Sequence, residues 1–162
     1  MIFVTVGAQM PFDRLVRTVD QWAARCGNHD VFAQIGPTPW RPQHIRWTSF
    51  LAPEAFRQHV AAADVVVAHA GMGSIITALE LGKPILVMPR RGNLKETRND
   101  HQVATAKHFL AQGRIQVAFD EVELAARLAS LESLIKQKGD ILPPSASPEL
   151  ILALQHFIGQ VP

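Results

Sequence analysis

The chain has 162 residues, 48 % hydrophobic and 19 % charged, the profile of one folded domain with one core. Sixteen Lys and Arg stand against fourteen Asp and Glu, and a net charge of +2 is too balanced for a dedicated nucleic-acid coat. The single cysteine, Cys26, excludes an intramolecular disulfide framework and any multi-cysteine metal site, and the length excludes two nucleotide-fold domains facing each other across a cleft.

Residues 2–6 are a short apolar run rich in β-branched side chains and read as the first strand. Phe12, Leu15, Val16, Val19, Trp22 and Ala23 then recur at helical spacing, with Pro11 suited to the first turn. Strands follow at 31–35 and 45–48. Pro53 opens a short helix with Phe56 and Val60 inward. A strand at 65–68 leads to a helix at 74–81 that Gly82 and Pro84 stop. After a strand at 85–88, a helix over 101–111 turns Val103, Ala106 and Leu110 to one side and ends at Gly113. A sixth strand at 115–119 precedes a stripe of Leu124, Leu128, Leu131 and Ile135. Residues 136–147 have linker composition, and Pro148 starts a last helix with Ile151, Leu154 and Ile158 on one face. The expected units are a domain over 1–142 and a linker with a C-terminal helix over 143–162, a candidate docking element for a partner.

Alternating strands and helices predict an α/β fold, a single Rossmann-like doubly wound parallel sheet of about six strands. The first, fourth and fifth strands are near-continuous apolar runs, as parallel strands covered on both faces require. One join is thin: residues 36–44 are short for a parallel crossover, so either that connection is irregular or one strand is misassigned. No stretch reaches the ~18–20 apolar residues of a membrane span, and residues 1–7 lack the marks of a signal peptide. With so little cysteine, a cytoplasmic location is expected.

Ligands on open α/β sheets bind beyond the strand carboxyl ends, where the strand order reverses. In the order 3-2-1-4-5-6 that point lies between strands one and four. The loops after them carry glycines: Gly7-Ala8-Gln9, and His69-Ala70-Gly71-Met72-Gly73-Ser74. Gly71 and Gly73 would let backbone approach an anion, Ser74 would cap the next helix, and that helix would offer free N–H groups to a phosphate. A tight turn asks for glycines without any ligand as well, so the loop alone leaves both readings open. The third position of a dinucleotide fingerprint is Ile76, which disfavours a nicotinamide oxidoreductase, and no Gly-Lys-Ser/Thr of a P-loop follows. Glu80 stands two turns along that helix, where a carboxylate could take two ribose hydroxyls or simply face solvent. Residues 83–99 hold five Lys and Arg and one acid, a local +4 that includes Arg90 and Arg91, suited to steering an acidic ligand. Asp100 would cap the next helix and place His101 and Gln102 in its first turn. Trp40, Trp47 and Phe50 read as core or interface residues.

These residues, in order, resemble the C-terminal, donor-binding half of family 28 glycosyltransferases over residues 1 to about 120. The segments are Val4-Thr5-Val6-Gly7, Phe12-Asp13-Arg14-Leu15, His69-Ala70-Gly71-Met72-Gly73-Ser74, Glu80-Leu81-Gly82-Lys83-Pro84, Pro89-Arg90-Arg91 and Asn99-Asp100-His101-Gln102. The similarity is greatest to stand-alone subunits of split enzymes, both the eukaryotic N-glycan UDP-GlcNAc transferase kind and bacterial capsule and exopolysaccharide kinds. The resemblance implies one half of a GT-B enzyme, an inverting UDP-sugar transferase with no cofactor and no obligatory metal. Gly7, Gln9, His69, Gly71, Met72, Gly73 and Ser74 would then hold the diphosphate and Glu80 the ribose. Arg90, Arg91, Asn99, Asp100, His101 and Gln102 would line the phosphate and sugar, with His101 the one catalytic candidate of this chain. The resemblance also implies a membrane-anchored partner that binds a polyprenyl-linked acceptor and carries the general base, and recruitment through it to the inner membrane face. The transferred sugar would be glucuronosyl, galactosyl or GlcNAc. A non-catalytic nucleotide-sugar-binding enhancer, and a homo-oligomer in isolation, are the alternatives; no nucleic acid is implied.

Overall fold

The apolar runs become strands whose successive side chains feed two different cores. Ile2, Val4, Val65, Val67, Leu86 and Met88 enter one hydrophobic cluster; Phe3, Val66, Ala68, Ile85 and Val87 enter the other. This is the period-two geometry of a strand covered on both faces. A computed structural model describes residues 1–27 and 30–131. The strands are β1 (Ile2–Thr5), β2 (Val31–Gln34), β3 (Arg46–Thr48), β4 (Val65–His69), β5 (Ile85–Met88) and β6 (Gln116–Val117). They form one parallel sheet in the order β3-β2-β1-β4-β5-β6, with Val4 in register with Ala33 and Val67.

Among the described residues, five α-helices cover the sheet: α1 (Asp13–Cys26), α2 (Pro53–Ala62), α3 (Met72–Glu80), α4 (His101–Ala111) and α5 (Glu121–Ala129). α1 and α5 supply Leu15, Val16, Val19, Leu124 and Leu128 to the first cluster. α2, α3 and α4 supply Val60, Ile75, Leu79 and Ala106 to the second. α1 ends where Gly27, at φ +63, turns its N–H back to the Ala23 carbonyl.

The thin join proves irregular, and both strands stand. No helix forms between β2 and β3, which pair in parallel as Ala33 with Trp47. The connection is held by Asp20, a buried carboxylate of α1. It accepts the His44 N–H at 2.8 Å and the Gln43 N–H at 3.4 Å, and meets His44 Nδ1 at 3.1 Å. Charged hydrogen bonds from the neighbouring helix thus replace the missing crossover.

Three expectations are corrected. α3 begins at Met72 with Gly71 in the N-cap position, so Ser74 lies inside the first turn, buried, and caps nothing. Asp100 precedes α4, but its side chain takes the Gly92 N–H at 2.8 Å instead of a helix N–H. The inward face of α4 is Gln102 and Ala106, while Leu110 is exposed. Burying Gln102 for its hydrogen bond rotates the helix off its apolar phase. The Ile135 end of the fifth stripe, the linker and the last helix lie outside the described residues.

Candidate functional site

Strand order sends the carboxyl ends of β1 and β4 to the point where the chain departs in opposite directions. A cleft of about 490 Å³ opens there. Its centre is built by residues 7–10 after β1 and by the start of α3 after β4. At the β3 end stand Phe50, Leu51, Pro53 and Phe56; at the β5 end stand Arg90, Thr97, His101 and Gln102.

The first backbone bond of α3 runs from the Ile75 N–H to the Gly71 carbonyl, so the N–H groups of Met72, Gly73 and Ser74 precede any intrahelical partner. A Cβ on Gly73 would meet nothing within 4 Å, and Gly73 and Ser74 line the cleft. Gly71 serves differently. A Cβ there would stand 2.1 Å from His69 Nε2, and one on Gly7, at φ +76, would stand 3.0 Å from His69 Cε1. The imidazole therefore occupies space that both glycines leave open. Burial, then the neighbouring Arg90 guanidinium, push the His69 pKa down to about 4, with the Thr5 backbone partly offsetting them. His69 is neutral at pH 7. The Gly7 N–H is engaged by Thr5 Oγ1 at 3.1 Å, and that hydroxyl donates to Gln34 Oε1 at 3.0 Å, making a fixed polar floor.

Arg90 is 5 % exposed. Its Nη2 donates to the Val6 carbonyl at 2.8 Å and the Met10 carbonyl at 2.6 Å, pinning both ends of the first loop. Its N–H donates to Gln102 Oε1 at 3.1 Å, joining β5 to α4, and its guanidinium lies over the Phe12 ring. Nε is buried without a partner, and no carboxylate pairs with Arg90 among the described residues. Burial lowers its pKa, yet a guanidinium stays charged. A buried cation and a helix start whose first N–H groups have no intrahelical partner thus line one cleft, a combination suited to an anion.

The predicted residues thus divide. Gly7, Gln9, His69, Gly73, Ser74, Arg90, His101 and Gln102 line the cleft; Gly71, Met72, Glu80, Arg91, Asn99 and Asp100 do not. Gly71 leaves room for the His69 ring, and Asp100 holds the Gly92 N–H. Glu80 is paired with Arg57 of α2 at 2.9 Å, its side chain 41 % exposed. The Arg91 guanidinium is turned away to the Phe119 carbonyl at 2.7 Å. Asn99 Oδ1 accepts the His101 N–H at 3.2 Å and contacts its ring Nδ1. The +4 segment is less free than its count implies: Arg90, Arg91 and Lys83 are bound internally, Lys83 to the Ala63 carbonyl. Sequence reasoning placed none of Gln34, Phe50, Phe56 and Thr97 in the site. The strand-end rule, applied to β2, β3 and β5 as well, would have found them. Phe50, read as core or interface, is 59 % exposed at the cleft, while Trp40 and Trp47 pack against the core.

The model of the glycosyltransferase family 28 C-terminal domain matches residues 1–142. The chain belongs to that family. Two curated relatives are the UDP-N-acetylglucosamine transferase subunit ALG13 of Homo sapiens, 29 % identical over 124 residues, and that of Mus musculus, 30 % identical over 123. Each match covers 70 % of this chain and 10 % of the relative, so the chain spans about a tenth of their length. Among solved structures, the solution structure of ALG13 superposes with a TM-score of 0.58 at 22 % identity, covering 94 % of both chains. The calicheamicin glycosyltransferase CalG4 superposes at 0.57 and 16 % identity over 98 % of this chain but 43 % of its own. The six-stranded parallel sheet is thus one half-domain of the GT-B architecture, and this family 28 chain carries its strand-end cleft.

Proposed function

We propose that the chain is the donor-binding and catalytic subunit of a two-component inverting UDP-sugar glycosyltransferase. The observation that carries this reading is the pairing of the free α3 N-terminus with the half-satisfied, buried Arg90 at the β1/β4 switch point. The ligand implied is linear, and the cleft has three zones in a row. The Phe50 and Phe56 faces suit a stacked nucleobase, the α3 N-terminus and Arg90 a diphosphate, and the β5 end a sugar. Glu80 would leave Arg57 to accept the vicinal ribose hydroxyls. In transfer, an acceptor hydroxyl attacks the anomeric carbon as its bond to the β-phosphate oxygen breaks. The hydroxyl proton passes to a general base, and UDP departs with the bond electrons. Charge growing on that phosphate meets the Gly73 and Ser74 N–H groups and Arg90, which are already oriented.

The base and the acceptor site belong, in this reading, to a membrane-anchored partner that presents a polyprenyl-diphosphate-linked sugar in exopolysaccharide or capsule synthesis. The chain then works at the inner membrane face, with residues 143–162 as its docking element. The relatives' name, a transferase subunit, supports a divided enzyme. Calorimetry with UDP, UMP and UDP-sugars tests the donor site. UDP should bind at least about tenfold more tightly than UMP, and Glu80→Ala should weaken UDP at least about tenfold, the worth of one charged hydrogen bond. Equal binding of UDP and UMP, or none of either, would overturn the reading. Radiolabelled transfer with the co-expressed partner separates a catalytic subunit from a non-catalytic enhancer.

A further inference from the structure

Between β5 and α4, residues 91–100 close the cleft at its β5 end through Thr97. Their own secondary structure is one 3₁₀ turn, Gly92–Leu94. One carboxylate holds the rest. Glu96, its side chain 13 % exposed, receives Arg14 Nε at 2.7 Å and Nη2 at 2.8 Å, a bidentate pair. The same Oε2 accepts the Arg91 N–H at 2.9 Å. Arg14 also donates to Glu121 Oε2 at 3.1 Å and to the Pro89 carbonyl at 3.3 Å. α1, the end of β5, the segment and α5 therefore meet at one guanidinium, 82 positions from the carboxylate it grips.

Lys95, immediately before Glu96, sits at φ 58 and ψ 24, the only non-glycine residue at positive φ among those described. That conformation is strained for a residue with a side chain and persists where the surroundings over-determine it. The reversal sets Glu96 against Arg14 and leaves its successor, Thr97, at the cleft. The hydrogen bonds of the diphosphate zone are separate: those of Arg90 go to Val6, Met10 and Gln102, α3 lies on another element, and Glu96 acts on Arg90 through charge without a hydrogen bond.

We propose that Glu96, gripped by Arg14, is a positioning residue for the donor's sugar, and that Thr97 is the group it presents. The pair holds the Thr97 hydroxyl where it hydrogen-bonds the hexosyl group of a nucleoside diphosphate sugar. The bare nucleoside diphosphate does not reach it. This rests on the nucleotide-sugar reading of the cleft.

The test is calorimetry on the full chain with UDP and with UDP-glucose, UDP-galactose, UDP-GlcNAc and UDP-glucuronate. The wild type is compared with Glu96→Gln, Arg14→Lys and Thr97→Val. UDP affinity should stay within about twofold in all three. Affinity for the best-bound UDP-sugar should fall about threefold in each of the three, the scale of one lost neutral hydrogen bond. Glu96→Gln/Thr97→Val should be no weaker than Glu96→Gln alone, because both act through one contact. Thr97→Val leaves the ion pair intact, so it reads the sugar contact even if Glu96→Gln lowers stability. Equal weakening of UDP and UDP-sugar would make the pair merely structural, and unchanged UDP-sugar affinity would remove the contact; either result overturns the inference alone. A wild-type chain that binds neither ligand overturns the cleft reading and this inference with it.

Discussion

Gly71 and Gly73 stand two residues apart and meet opposite constraints. A methyl on Gly71 would lie 2.1 Å from His69 Nε2, while one on Gly73 would project into open space at the cleft. Gly71→Ala should therefore destabilise the fold by about 1–3 kcal/mol, the cost of overpacking, as read from denaturant midpoints. Gly73→Ala should leave stability unchanged or raise it by up to about 1 kcal/mol through helix propensity, yet weaken UDP binding because the methyl stands beside the free N–H groups. A sequence reader sees the same glycine twice; only the position of the imidazole separates them. His69 itself predicts a pH dependence. Its folded pKa of about 4 lies below the ordinary 6.5, so from pH 6.5 downward the unfolded chain takes a proton that the native one refuses. Stability contributed by neutral His69 is complete above pH 6.5 and lost as the pH falls toward 4. Between pH 7 and pH 5 the loss should be about 2 kcal/mol in urea unfolding, and His69→Asn should flatten that slope.

At the scale of elements, adjacent arginines do different work because their strand ends beside two different neighbours. Arg90 lies beneath the first loop and takes the Val6 and Met10 carbonyls, while Arg91 takes the Phe119 carbonyl before α5. Arg90→Met should lower UDP affinity at least about tenfold, since it removes a cation and releases the loop. Arg90→Lys should recover only part of it, because an ammonium cannot span both carbonyls as the planar fork does. Arg91→Met should cost about 1 kcal/mol of stability and leave UDP affinity within about twofold. Equal effects on binding would show that the two side chains share the ligand. The helix elements carry a similar lesson. The α4 stripe of Val103, Ala106 and Leu110 has sound helical period, but the helix buries Gln102 instead, whose amide oxygen the Arg90 N–H requires. Turning Gln102 inward satisfies that buried N–H, whose loss would cost about 1–3 kcal/mol, and sets Phe109 rather than Leu110 against the second core cluster.

Across the whole molecule, the parallel order β3-β2-β1-β4-β5-β6 turns a chain of small loops into one cleft with an apolar end at Phe50 and Phe56, a centre at the start of α3 and Arg90, and a far end at Thr97 and His101. The centre supplies positive potential from backbone and one guanidinium, so donor binding should be insensitive to divalent ions. UDP affinity measured with about 5 mM magnesium and with about 5 mM chelator should agree within about twofold, the expectation for a helix N-terminus and a cation acting together. A requirement for the ion would show that the diphosphate is held through a metal. Among the described residues no helix is long and apolar enough to cross a membrane, and no cluster of three His, Cys, Asp or Glu could hold a metal ion.

The strands, the two-sided burial of the sheet, its order and the two glycine loops at its switch point were legible in the sequence. Apolar period records which face of a segment is covered, and connection rules leave few ways to stack parallel strands. What the tertiary structure alone decided is which side chains converge. Arg90 meets Val6 across 84 positions and Arg14 meets Glu96 across 82, pairings that no local pattern encodes. Long polar side chains choose among several partners within reach, and the choice depends on which elements the fold sets side by side. That is why Phe50 became a cleft wall, Arg91 a brace and Glu80 a surface ion pair, while the glycines after β4 stayed where their spacing had placed them.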